Sequence, residues 1–160
     1  MFSRLVLVLA ASLSLPSFAE RPRLVVLELA AGKDVDAATV SAVGDAITSL
    51  IAARGLFEVT SSQDVKTLLG VERQRQLLGC TESSCMAELT GALGARFVLS
   101  GTLGLLGDTW QLTLTTLDSA RAQPIGRTTR LAPNLKALTA LLPWAVAEAT
   151  ATPEIGRASC

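Results

Sequence analysis

The segment from Gly79 to Thr102 constrains the fold more than any other part of this chain, because it places two cysteines before a helical pattern and an apolar run. Cys80 and Cys85 have four residues between them. Such a pair is compatible with a structural disulfide, a redox pair or half of a metal site. Thioredoxin-type redox pairs have two intervening residues, however, and a tetrahedral metal site needs two further ligands.

A mixed α/β domain is the fold class that the patterning predicts. The apolar run from Arg23 to Ala30 is typical of a central strand covered on both faces. Helical and strand patterns then follow in the order β-α-β-α-α-β-β-β-α, which predicts a mixed sheet of about five strands with helices packed on it. The sequence shows no second domain and no long internal repeat, so residues 20–150 are expected to form one domain.

Local signals mark the ends of several elements. Asp34 or Asp36 is placed to cap the first helix, and Asn134 to cap the last one, which Pro143 should kink or stop. Ser61 and Asp64 form a variant of the capping box at the start of another helix. Gly107 and Asp108 predict a tight hairpin turn. Residues 123–131 are typical of an edge strand, since Pro124, Arg127 and Arg130 discourage edge-to-edge pairing.

The amino terminus is typical of a secretory signal peptide. Arg4 precedes an apolar run from Leu5 to Leu15 that is too short to span a bilayer, and Ser17 and Ala19 are the small residues expected before a cleavage site. We therefore expect residues 1–19 to be removed after Ala19, with export to the periplasm and no stable membrane insertion afterwards. A retained membrane anchor is the alternative. No cysteine lies near the cleavage site to accept a lipid.

The carboxyl-terminal segment, residues 151–160, is expected to be the start of a linker. Residues 154–160 resemble a translated sequencing adapter, since Ile155 to Cys160 match its codons in an unbroken run. A natural polar tail is the alternative. If the adapter interpretation holds, Cys160 is not native and the natural protein continues past Pro153, with this chain as its amino-terminal part.

Charge and composition exclude several functional classes. The chain has 14 Lys and Arg and 14 Asp and Glu, and loss of residues 1–19 removes one base, Arg4. A balance so close to neutral provides no electrostatic basis for binding nucleic acid. Histidine and tyrosine are absent, which removes His-dependent triads and imidazole metal ligands. We expect no cofactor, no bound metal and no catalysis.

A family resemblance rests on the cysteine segment. A helix ending in Leu77-Leu78-Gly79-Cys80, the second cysteine, and the run Gly91-Ala92-Leu93-Gly94-Ala95 before an apolar strand and Ser100-Gly101-Thr102 resemble the amino-terminal domain of TolB. The segment also resembles CsgG-like and penicillin-binding-protein-activator modules. In sequence, the segment most resembles secreted deltaproteobacterial proteins of myxobacterial type. The resemblance covers residues 22 to about 148.

The resemblance implies a periplasmic α/β module that acts through protein contacts in the cell envelope. It also implies that Cys80 and Cys85 form a disulfide, as the corresponding pair does in the family. No β-propeller pattern follows in this chain, and the lipid-attachment cysteine of envelope lipoproteins is missing.

Two groups of charged residues are candidate contacts for a partner protein. Glu72, Arg73 and Arg75 lie on a predicted helix, where a solvated surface is the alternative, and Arg127 and Arg130 lie on the predicted edge strand. Three functions stay open from sequence: an interaction module that binds an envelope protein, a small-ligand sensor with a cleft between helix and sheet, and, as the third, a hydrolase or thiol oxidoreductase. No oligomeric state follows from the sequence.

Overall fold

The sheet is organised around β1 (Arg23–Val26), a strand whose apolar side chains are buried on both faces. The structure is a computed structural model and describes residues 20–67, 91 and 94–151. β1 pairs in parallel with β3 (Glu58–Thr60) on one side and with β4 (Phe97–Leu106) on the other. Leu24 and Val26 face one apolar cluster and Val25 faces a second, so both faces of the sheet are covered at β1.

The sheet continues as an antiparallel meander. β4 pairs with β5 (Thr109–Asp118), which pairs with β6 (Gln123–Ala132). The spatial order is β3-β1-β4-β5-β6, and the short β2 (Ala30–Ala31) adds to β4 in parallel. This six-stranded mixed sheet with helices packed on it confirms the predicted fold class. The predicted continuous strand 23–30 is wrong in detail, because Leu27 to Leu29 separate β1 from β2.

The helices are α1 (Ala37–Ala53), α2, of which residues 62–67 are described, and α3 (Leu135–Ala149). Asp36 caps α1 by accepting from the Thr39 amide at 2.9 Å, and Asn134 caps α3 by accepting from the Ala137 amide at 2.8 Å. At α2 the Asp64 carboxylate accepts from the Ser61 amide, and the Ser61 hydroxyl accepts from the Asp64 amide. These reciprocal bonds form the predicted capping box.

α3 does not stop at Pro143, contrary to one of the two expectations for that residue. The buried face of the helix continues past the proline with Ala145, Val146 and Ala149. Packing of this face offsets the backbone hydrogen bond that proline removes. The acceptor left without that bond is the carbonyl of Thr139, an exposed residue, so water can satisfy it.

The main core lies between one face of the sheet and the helices α1 and α3. The smaller cluster on the opposite face contains Val65 of α2 together with residues of β1, β4 and β5. α3 approaches β6 closely at Gly126, where an added Cβ would lie 2.2 Å from the carbonyl oxygen of Ala149. The buried Thr116 hydroxyl donates to the same oxygen at 2.6 Å.

Substitution of Gly126 by alanine tests this close approach. The new methyl group would collide with helix backbone, so we expect Gly126→Ala to lower the free energy of unfolding by about 1–3 kcal/mol. Gly44→Ala is the matched control, since an added Cβ at Gly44 of α1 meets no atom within 4 Å. It should raise stability by about 0.5–1 kcal/mol through helix propensity. Urea denaturation of the two variants measures both changes in the free energy of unfolding. An unchanged free energy of unfolding for Gly126→Ala would contradict the close packing of α3 on β6.

Candidate interaction site

β6 forms one edge of the sheet, and its ten residues offer backbone groups to a further strand. Its inner side pairs with β5 from Gln123 to Ala132, with one irregularity beside Thr116 and Leu117. In the described part of the chain no strand pairs with its outer side. The backbone N–H and C=O groups on that side are therefore a template for strand addition. The position of β6 agrees with the edge strand predicted from its proline and arginines.

Arg127 lies on the face of β6 that points away from α3. It is exposed, it stands opposite Thr115 of β5, and it shares its face with Thr129 and Leu131. Within the described ranges the Arg127 guanidinium makes no hydrogen bond or ion pair. Arg127 is thus a surface cation whose charge is available to a partner.

Arg130 lies on the opposite face, towards α3. Its guanidinium forms an ion pair and a short hydrogen bond with the Glu148 carboxylate of α3. The Thr128 hydroxyl donates to the same carboxylate at 3.2 Å. The hydrogen bond from Arg130 is the main cause that lowers the pKa of Glu148 below its ordinary value, and the Thr128 hydroxyl adds a smaller effect. Arg130 therefore ties β6 to α3, and the structure does not bring the two predicted arginines together.

Trp144 of α3 is a surface residue, although it lies within an apolar stretch of sequence that is typical of a packed helix. Its side chain is 71% exposed, whereas Trp110 of β5 is half-buried against the main core. The buried residues Leu138, Leu142, Ala145 and Ala149 recur every three or four positions. That spacing leaves Trp144 on a flank of the helix, and a helical wheel drawn from those residues would have revealed it.

A small polar cleft lies at the carboxyl end of β1. Glu28 and Lys66 form an ion pair of 2.9 Å there, and α1 contributes Ser41, Asp45 and Thr48 to the lining. The enclosed volume of about 10 Å³ is that of one water molecule, so the cleft does not hold a metabolite in this conformation. The carboxylate of Asp118 lies apart from Glu28, because it caps the turn after β5 and pairs in register with Phe97 at the start of β4, so these two carboxylates do not form a pair for acid–base chemistry.

Several predicted site residues lie outside the described residues. They are the cysteines Cys80 and Cys85 and the helical group Glu72, Arg73 and Arg75. Across residues 20–67, 91 and 94–151, no helix is long and apolar enough to cross a membrane. The same ranges contain no group of three or more carboxylate, thiol or imidazole side chains arranged to hold a metal ion.

Comparison with solved structures finds the same fold in three proteins of known structure. The C-terminal domain of LpoB from Escherichia coli matches with a TM-score of 0.52 and 15% identity, over 76% of this chain and 90% of that domain. Lipoprotein GNA1162 from Neisseria meningitidis matches with a TM-score of 0.53 and 13% identity, over 78% of this chain and 94% of that one. TolB from Acinetobacter baumannii matches with a TM-score of 0.52 and 12% identity, over 81% of this chain but 28% of TolB.

At these identities the likeness concerns the fold alone, and it confirms the TolB-like and penicillin-binding-protein-activator-like architecture that the cysteine segment suggested. No protein-family profile and no curated protein sequence matches this chain. The comparisons do not support the finer resemblance to deltaproteobacterial proteins of myxobacterial type.

The ion pair between Arg130 and Glu148 predicts a pH-dependent contribution to stability. Because the pKa of Glu148 is lowered from its ordinary value of 4.5, the pair stabilises the fold above that pH, and the stabilisation is lost as pH falls through the folded-state pKa. Glu148→Gln keeps an acceptor for Thr128 and removes the charge. We expect the difference in Tm between wild type and Glu148→Gln to be largest at neutral pH and to vanish once the pH has fallen below the lowered folded-state pKa of Glu148.

Arg130→Gln removes the other charge of the ion pair and serves as the control. Thermal unfolding of wild type, both single variants and the double variant forms a double-mutant cycle. The double variant should lose little more than either single variant. A Tm difference that does not change with pH would contradict the ion pair.

Proposed function

We propose that this chain is a non-enzymatic interaction module of the bacterial cell envelope that works in the periplasm by binding another envelope protein. The observation that carries the proposal is the outer side of β6, ten residues long, which no strand of the described ranges covers, beside the exposed Arg127, which has no ion pair within those ranges. Strand addition at such an edge provides affinity through backbone hydrogen bonds, and nearby side chains restrict which partner docks. The match to LpoB, TolB and a lipoprotein supports an envelope context.

The same proposal includes the parts of the chain that the structure does not describe. Residues 1–19 act as a signal peptide cleaved after Ala19, and residues 20–150 form a single domain. Cys80 and Cys85 form a structural disulfide in the oxidising periplasm. Glu72, Arg73 and Arg75 provide a second charged contact for the partner.

Two observations weigh against the other functions. The cleft at the end of β1 has roughly the volume of one water molecule, so this cleft of the described residues is too small for a metabolite. Histidine is absent from the whole sequence, so the most common general base and metal ligand is not available for an enzyme.

A capture experiment in the periplasm tests the proposed function. The full chain, tagged at its carboxyl terminus, is expressed in the organism that encodes it, crosslinked and purified, and co-purifying proteins are identified by mass spectrometry. We expect enrichment of one or a few envelope proteins. Arg127→Glu should lower their recovery several-fold because it reverses a surface charge at the contact, and the paired change Arg73→Glu with Arg75→Glu should act in the same direction.

Arg54→Glu is the matched control. Arg54 is an exposed residue at the end of α1, beside β3 rather than β6. It should leave recovery unchanged, and all exposed changes should alter stability by no more than about 0.5 kcal/mol. Absence of any enriched envelope protein, or a hydrolytic activity abolished by a single substitution, would contradict an interaction module.

A further inference from the structure

Trp144 lies on the same side of α3 as Glu148, which faces β6. Glu148, one helical turn later, reaches β6 through Thr128 and Arg130. Residues four apart lie on the same side of a helix, so Trp144 shares this flank with Glu148. Its 71% exposure shows that, among the residues that the structure describes, neither β6 nor another element covers the indole.

The position of Trp144 along β6 follows from the contact between Gly126 and Ala149. α3 follows β6 after a short turn and runs back along it, from Asn134 beside Ala132 to Ala149 above Gly126. Trp144 precedes Ala149 by five residues, or about 7.5 Å of helix. That distance corresponds to about two residues of strand, and helical side chains lean towards the amino terminus. The helix rise thus puts Trp144 level with the part of β6 between Thr128 and Arg130.

A strand added to the outer side of β6 would meet two different environments. Successive side chains of a strand point to opposite faces of the sheet. On the α3 side they would lie beside the exposed indole of Trp144, in a place where apolar atoms lose contact with water. On the other side they would lie beside Arg127 and the exposed Leu131.

The charges of β6 determine which side chains of the added strand are favoured on the Arg127 side of the sheet. Residues 123–132 contain two arginines and no acidic residue. Arg130 is neutralised by Glu148, whereas Arg127 has no counter-ion among the described residues. A partner strand with acidic side chains on the Arg127 side supplies that counter-ion. A second copy of β6 supplies none and brings a further Arg127 to the same edge, so pairing between two copies is disfavoured.

We propose that the open edge of β6 and the adjoining Trp144 flank of α3 together bind an extended segment of a partner protein in which acidic and apolar residues alternate. The apolar residues pack against Trp144, the acidic residues pair with Arg127, and the backbone pairs with β6. This inference rests on the proposed interaction function and specifies the surface and the chemistry of the partner segment.

A peptide-binding experiment with the purified full chain tests the proposal. The probe is a fluorescently labelled nonapeptide with blocked ends in which Glu alternates with Val and Leu, and binding is measured by fluorescence anisotropy. We expect saturable binding and a blue shift of the tryptophan emission that Trp144→Phe removes. Trp144→Ala and Arg127→Glu should each weaken binding by about tenfold, whereas Leu106→Ala and Arg54→Glu, which alter an exposed leucine and an exposed arginine elsewhere, should not.

Three further peptides separate strand addition from general charge attraction. A peptide with Lys in place of Glu should bind wild type poorly and the Arg127→Glu variant better. A scrambled peptide of the original composition loses the alternation and should bind at least tenfold more weakly. Two peptides N-methylated on alternate sets of amides complete the comparison, and at least one of them should not bind, because its donors to β6 are missing.

Several results would overturn the proposal. They are absence of saturable binding of the alternating peptide, equal binding to all variants, and full binding of both N-methylated peptides. A homodimer in analytical ultracentrifugation that Trp144→Ala dissociates would show that a second copy occupies the surface. If envelope proteins are still captured in the periplasm while the peptide results fail, the surface is wrong and the interaction function stands. Absence of capture would instead remove the interaction function.

Discussion

The burial of β1 on both faces is the constraint on which the rest of the structure depends. A strand with Leu24 and Val26 on one face and Val25 on the other must lie inside the sheet, with other elements packed over both faces. α1 covers one face and Val65 of α2 contributes to the cover of the other, so β3 and β4 take the parallel positions on either side of β1. The strands β5 and β6 can then be added only on the side of β4 that faces away from β1. The position of β6 at the edge of the sheet is therefore a consequence of how the first strand is buried, and no strand of the described residues covers its outer side.

The contact of α3 with the meander determines what surrounds that open side. Gly126 allows the helix backbone to approach β6, while the ion pair between Arg130 and Glu148 ties the same elements together at the surface. The helix axis lies close to the strand, and the exposed Trp144 lies on the side of α3 that carries Glu148 and faces β6. Backbone pairing alone would accept almost any extended segment. The indole on one face and the Arg127 cation on the other restrict the choice to segments that alternate in polarity.

Local sequence signals predicted the elements well, because caps and turns depend on residues close together in the chain. Asp36, Asn134 and the pair Ser61 and Asp64 act as predicted, and the edge strand was recognised from residues that hinder pairing. Features that depend on tertiary packing were harder to predict. α3 continues through Pro143 because its buried face extends further, and the apolar pattern around Trp144 concealed an exposed side chain. Arg127 and Arg130 were grouped by proximity in sequence, although a separation of three residues in a strand places them on opposite faces.

Amide hydrogen exchange tests the central claim, that the outer side of β6 is where a partner protein binds. The measurement compares the full chain alone with the same chain in its purified complex with the envelope protein that it captures. In the free protein, the amides of β6 that point away from β5 should exchange faster than those of β4, which is paired on both sides. In the complex, the account predicts strong protection of these β6 amides and weaker changes along α3 near Trp144. Unchanged exchange throughout β6, with protection confined to another element such as β3 or α1, would contradict it.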